Sequence, residues 1–301
     1  MVLLHKINKE TDMTTDITLA FIGGSGLYDM SDLSNKEEIE VNTPFGQPSS
    51  TIMTGMINEQ KVAFLARHGK GHTISPSDIN YRANIYALKA LGVKRIVSIS
   101  AVGSLQDQLA PGNIVIPDGL FDNTRKRINT FFTNGMVAHI GVADPFCIEL
   151  SKVLCKSVRN TGATVHEGGD FITIEGPRFS TKAESNTFRK WGMSIIGMTT
   201  SPEAFLAREA EMCYAVMGHI TDYDVWHISE IPVSVEMVIR TLIQNTVIAQ
   251  NALLNLANDL PASKVLNCGC SDALADAIIT QTKSVPDETK NHLSLLIDKY
   301  I

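Results

Sequence analysis

The chain lacks any apolar run near the ~20 residues that a membrane-crossing helix needs. Its first residues, Met1-Val-Leu-Leu-His-Lys6, hold too short an apolar stretch for a secretion signal. There is no basic surplus: 26 Lys and Arg against 32 Asp and Glu leave a net charge of −6. That balance argues against a nucleic-acid-binding protein, though not against a small anionic substrate held by local Arg and His. No Walker lysine motif is present. Gly23-Gly-Ser-Gly26 does not complete the dinucleotide-binding spacing, because Asp29 occupies the third glycine position. No Pro-, Gly- or Ser-rich linker, internal repeat or low-complexity block divides the 301 residues. One domain is therefore expected over 17–301, preceded by a polar extension over 1–16 that reads as mobile.

Cysteine is scarce and odd in number, at positions 147, 155, 213, 268 and 270. Without a secretion signal this reads as cytoplasmic thiols. Cys268-Gly-Cys270 leaves three readings open: two incidental thiols, a disulfide, or half of a metal site. A zinc site would need two further ligands, and His292 is the only nearby candidate in the chain.

Hydrophobic residues make up 44% of the sequence, enough for a sizeable core. Apolar runs ending in turn residues predict buried strands at 17–22, 61–66, 94–100, 113–117, 194–198 and 213–220. Helical spacing is expected over 80–91, stopped by Gly92, and again over 202–211 and from Val235 to about Leu256. Strands alternating with helices predict an α/β fold with a mixed, largely parallel sheet flanked by helices. Open sheets of this kind place ligands at strand ends, and polar motifs follow several of these strands.

Those motifs suit a nucleoside bound beside an anion. Gly23-Gly-Ser-Gly26 offers backbone N–H groups and a hydroxyl on Ser25. Arg67-His68 adds a guanidinium fork and a ring donor. Glu175-Gly-Pro-Arg-Phe-Ser180 supplies a ring able to stack on a base, and Met198-Thr-Thr-Ser-Pro-Glu203 supplies hydroxyls. Asp222 and Asp224 stand two residues apart after a strand. In an arbitrary protein such a pair would be solvated turn residues. Next to a purine they could protonate or bind its edge, because a carboxyl group away from bulk water has a raised pKa and can donate.

The order of these segments resembles the 5′-methylthioadenosine phosphorylases of the trimeric purine nucleoside phosphorylase family. Thr43-Pro-Phe-Gly46, Ser100-Ala-Val-Gly-Ser104, Pro111-Gly-Asn-Ile-Val-Ile-Pro117, Ala183-Glu-Ser185 and Thr221 to Trp226 carry the resemblance further, from about Ile17 to about Leu254. It implies a phosphate site of Ser25, Arg67, His68, Ser100, Thr199 and the Ala101 N–H. Ser25 and Ser100 stand where close relatives often have threonine, so the hydroxyls survive. Phe179 would pack on the purine and Met198 would meet the ribose hydroxyls. Gly197 departs from the family, which commonly carries a polar side chain before that Met. Asp222 would serve N7 and Asp224 the 6-amino edge. Relatives that prefer inosine or guanosine carry Asn at the position of Asp222, so Asp222 points to adenine.

Val235, Val238 and Ile239 would wall the 5′ substituent, an apolar surface suited to a methylthio group. His139 looks like the residue that a neighbouring subunit contributes there, which makes the site depend on oligomerisation as trimers or pairs of trimers. The implied reaction is phosphorolysis of 5′-methylthioadenosine, with inorganic phosphate as co-substrate and no metal or organic cofactor. A broader purine nucleoside phosphorylase, a phosphate-independent hydrolase and a non-catalytic nucleotide sensor are the alternatives. A C-x-C similar to Cys268-Gly-Cys270 occurs near the C-terminus of some thermophilic relatives, which keeps the disulfide reading open.

Overall fold

The computed structural model describes residues 3–7, 17–227, 235–261 and 263–301. The chain runs through β1 (Leu3–Ile7), β2 (Leu19–Gly23), β3 (Ser34–Val41), β4 (Ile52–Ile57) and β5 (Gln60–Ala66) to helix α1 (Tyr81–Ala90). Strands β6 (Arg95–Ser104), β7 (Ile114–Ile116) and β8 (Gly119–Asn123) precede α2 (Ile148–Arg159). Then come β9 (Val165–Glu167), β10 (Asp170–Ile174), α3 (Lys182–Lys190), β11 (Ile195–Gly197) and α4 (Thr200–Glu209). β12 (Cys213–Asp222), α5 (Val235–Asp259) and α6 (Asp287–Ile297) complete the order. The strands form one twelve-stranded mixed sheet, as the α/β reading expects.

Alternation along the central strands explains why helices cover both faces. Ala20, Ile22 and Ile96 join one apolar layer with Ile85 and Leu88 of α1 and Leu206 of α4. Leu19, Phe21 and Val97 join the opposite layer with Leu150 of α2 and Leu253 of α5. Helix α1 begins where Asn80 accepts a hydrogen bond from the Ala83 N–H, and the chain turns away through Gly92 at φ +87°. Within the expected extension, Leu3–Ile7 pairs parallel with Glu37–Val41.

The strand that positions the site is β6. Its first half pairs with β2 from Arg95 to Ser98, and its end pairs antiparallel with β11 at Gly103 and Ser104. Between them, residues 99–102 keep β12 on one edge and have no strand partner on the other among the described residues. The sheet therefore splits beside Ser100 and Ala101, and a cavity opens in the gap. β12 ends in the same place, with a register irregularity between Ile220 and Asp222 that re-aims the chain at the carboxylate pair.

Candidate active site

The cavity at the split holds about 690 Å³, a volume typical of a small-molecule site. One end is built from Gly23, Gly24 and Gly26, Arg67 and His68, the open edge of β6, and Thr199 just before α4. Gly23 lets the chain pack closely here: a Cβ would come within 2.4 Å of Leu27 Cδ1 and 3.3 Å of the Ile99 carbonyl. Ser100 Oγ is buried without a hydrogen-bond partner, an orphan that a bound ligand would satisfy.

Arg67 lines the cavity, but most of its fork is engaged within the protein. Nε donates to Glu203 Oε2 at 2.8 Å, and Nη2 donates to Glu203 Oε1 at 2.9 Å and Ser98 Oγ at 2.6 Å. Nη1 donates to the Ile99 carbonyl at 3.3 Å, leaving one N–H for an anion. Burial opposes the charge, but Glu203 outweighs it and holds the guanidinium cationic. His68 differs from its expectation. Burial, reinforced by the Arg67 cation, pushes its pKa down to about 4. The ring is neutral near pH 7. Nδ1 lies 2.9 Å from the Ile74 carbonyl, so Nδ1 carries the proton and Nε2 is an acceptor. Such an acceptor suits a hydroxyl or the P–OH of a monoanion.

At the other end Phe179, Met198 and Gly197 meet Asp222 and Asp224. Asp222 is 6% exposed. Burial pushes its pKa up to about 6, against the Thr221 hydroxyl donating to Oδ2 at 2.7 Å and the Asp224 N–H donating to Oδ1 at 2.7 Å. Asp224 is also raised by burial; the Ser185 and Ser180 hydroxyls stand beside it and pull the other way. Neither hydroxyl completes a well-formed hydrogen bond. Gly103 lets the pair approach β6, since a Cβ there would lie 3.1 Å from Asp222 Oδ1 and 3.3 Å from Asp224 Cβ. Gly197 has a comparable cause. A Cβ would meet the Phe171 ring at 2.7 Å, so the space that a side chain would need is filled from β10.

The structure thus gathers Arg67, His68, Ser100, Ala101, Phe179, Met198, Thr199, Asp222, Asp224 and Val235 around one cavity. Ser25 lies in a short 3₁₀ helix beside it, and Val238 and Ile239 lie on α5; the side chains of these three are outside the described residues. His139 is not brought there within one chain. It is exposed, and its N–H donates to the Ala277 carbonyl at 2.8 Å. Sequence reasoning missed Glu203, which is 0% exposed and also accepts from Tyr214 at 2.7 Å. It missed Glu175, which clamps the Gly-Pro loop by accepting from Ser77 Oγ at 2.8 Å, the Arg125 N–H at 2.7 Å and Arg127 Nε at 3.3 Å. It also missed His72, stacked on His68 with ring centroids 4.2 Å apart.

An open edge of a central strand, an orphan hydroxyl and a buried acid pair thus share one cavity. The chain belongs to the phosphorylase superfamily, whose family model matches residues 18–258. It is 50% identical over 284 residues to the S-methyl-5′-thioadenosine phosphorylase of Geobacter sulfurreducens, covering 94% of this chain and 99% of that one. The protein of the same name from Thermofilum pendens is 48% identical over 263 residues, covering 87% and 99%. Among solved structures, a methylthioadenosine phosphorylase from an antarctic soil metagenomic library superposes with TM-score 0.90 at 44% identity, covering 94% and 99%. The methylthioadenosine phosphorylase of Schistosoma mansoni in complex with adenine gives TM-score 0.80 at 35% identity, covering 86% and 96%.

Proposed function

We propose that this chain catalyses reversible phosphorolysis of 5′-methylthioadenosine, giving adenine and 5-methylthioribose 1-phosphate. The observation that carries this reading is buried Asp222, with its raised pKa, across one cavity from the open edge of β6. Phosphate binds at the Ser100–Ala101 edge with Thr199, the Gly23–Gly26 loop and the remaining Arg67 N–H. Asp222, protonated, donates to purine N7 as the glycosidic bond breaks and negative charge grows on the base. Asp224 accepts from the 6-amino group. The ribosyl centre gains cationic character, the adjacent phosphate stabilises it, and a phosphate oxygen then captures C1′. Every step uses side chains and the two substrates, with no metal or organic cofactor in the reaction.

Val235 is 62% exposed although it borders the cavity. Apolar Ile128, Val137, Val142 and Ile279 are likewise exposed on this chain. Both facts fit burial against another copy; in the trimer of this reading, His139 of one copy closes the 5′ side of its neighbour's site. Among the described residues no helix is long and apolar enough to cross a membrane, and all five cysteines are free thiols. The free thiols support a cytoplasmic location.

Adenine release measured with and without inorganic phosphate tests the reaction: release should require phosphate and yield the sugar phosphate. Phosphate-independent release would make the protein a hydrolase, and no release would leave a nucleotide-binding protein. A second reading has its own support, because a solved neighbour from Schistosoma mansoni is described as an adenosine/methylthioadenosine phosphorylase. Parallel assays with adenosine, inosine and methylthioadenosine separate the two.

A further inference from the structure

The Cys268-Gly-Cys270 pair has partners that its sequence neighbourhood did not reveal. The sulfurs of Cys147, Cys213, Cys268 and Cys270 all lie within 4.8 Å of one another, and none is in a disulfide. Cys147 stands at the N-terminal end of α2, Cys213 opens β12, and the C-x-C pair follows α5. His292 is exposed and takes no part in the cluster. Three of the four cysteines are buried and Cys268 is half-buried, so the cluster is enclosed but has one approach from outside.

We propose that these four thiols form a closed tetrathiolate site for a single structural Zn²⁺ that ties the segment after α5 to the core. Four sulfurs at ~2.3 Å from a tetrahedral zinc lie ~3.8 Å from one another. Cys213 and Cys268 Sγ are 3.5 Å apart and every pair falls within 4.8 Å, so shifts of a few tenths of an ångström to about one suffice. An all-sulfur set excludes calcium and magnesium. An iron–sulfur cluster would need its cysteines spread around a cluster rather than converging on one point.

The charge also balances. Binding Zn²⁺ to four neutral thiols releases four protons and leaves two net negative charges. Arg95, 4% exposed, interacts electrostatically with Cys213, Cys268 and Cys147, and Arg208 with Cys270. The Arg95 guanidinium is held there by the carbonyls of Leu260, Pro261 and Lys264. At the end of α2, the helix dipole favours a thiolate on Cys147. None of the four cysteines lines the substrate cavity, so the ion would support the fold rather than the chemistry.

The test is the zinc content of the full chain made in zinc-supplemented medium, read by native mass spectrometry and by zinc released on mercurial titration of the thiols. The expected result is about one zinc per chain, displaceable by Co²⁺ with the visible absorption of a tetrahedral thiolate site. Cys213→Ser and Cys270→Ser should each reduce bound zinc to near zero, while Cys155→Ser, outside the cluster, should retain it. Wild-type protein that stays zinc-free with all four thiols titratable would overturn the proposal. So would a mass deficit of two hydrogens per disulfide in place of metal, or full zinc retention in Cys268→Ser/Cys270→Ser. If the single variants do not fold, the wild-type metal content decides.

Discussion

Arg67 and Glu203, 136 positions apart, form a two-point ion pair in the cavity wall, with contacts of 2.8 and 2.9 Å and side chains 3% and 0% exposed. Removing one partner leaves the other charged and buried. Arg67→Ala should therefore lower stability by ~3–5 kcal/mol, in addition to weakening phosphate by the ~1.5–3 kcal/mol of a charge-assisted contact. Denaturant unfolding and the phosphate KM, measured on the same protein, separate the two. Unchanged stability would mean that the pair is not formed. Arg67→Lys should keep the charge but lose the second contact, and so fall between wild type and Ala.

Asp222→Asn removes the proton donor while keeping the shape of the side chain. Turnover of methylthioadenosine should fall by ~10²–10⁴, and a 6-oxopurine nucleoside should be disfavoured less. Steady-state kinetics on both substrates check this. Near-wild-type activity on the adenine nucleoside would remove Asp222 from the role.

The elevated pKa of Asp222 also sets the sign of a pH effect. The donating form is the protonated one, present below about 6 and lost as pH rises through that value. At saturating phosphate, kcat/KM for the nucleoside should fall up to tenfold per pH unit above the pKa. The Asp222→Asn profile should lack this limb. An identical slope in both proteins would assign the titration to another group.

Much of this site was legible because its residues follow apolar runs that end in turns. β2 delivers Gly23, β5 delivers Arg67, β6 delivers Ser100, and β12 delivers Asp222. The bounds differ by a few residues: the helix expected over 202–211 is Thr200–Glu209, and the one expected to end near Leu256 continues to Asp259. What the sequence concealed is long-range pairing. Nothing local marks Glu203 as the partner of Arg67, or Cys147 and Cys213 as neighbours of the C-x-C pair. Polar, largely half-exposed β3, in which Ile39 and Val41 alone are buried, gives no apolar run to recognise. Helix α6 lies beyond the segment that the family resemblance covers, although Leu293 and Ile297 bury its inner face. The split beside β6 depends on three strands sharing one, which no periodicity encodes.

His139 offers a test of the assembly. It lies outside the cavity of its own chain, exposed, with its backbone fixed to Ala277. If a neighbouring copy receives it, His139→Ala should raise the KM for methylthioadenosine while leaving phosphate affinity nearly unchanged. Dilution to monomers should abolish activity. An active monomer, seen by sedimentation alongside the assay, would defeat the arrangement.

Gly197 lies in the cavity wall and the Phe171 ring packs directly behind it. A Cβ at 197 would sit 2.7 Å from the Phe171 ring, and Phe171 is fully buried. Gly197→Ser should therefore cost ~1–3 kcal/mol by overpacking and weaken nucleoside binding as the ring is pushed aside. Phe171→Ala alone should cost ~3–5 kcal/mol by leaving a cavity. In the double variant the new side chain occupies part of that space, so its loss should fall short of the sum of the two single losses by ~0.5–3 kcal/mol. A double-mutant cycle from denaturant unfolding measures the difference. Strict additivity would show that the ring does not exclude a side chain at 197.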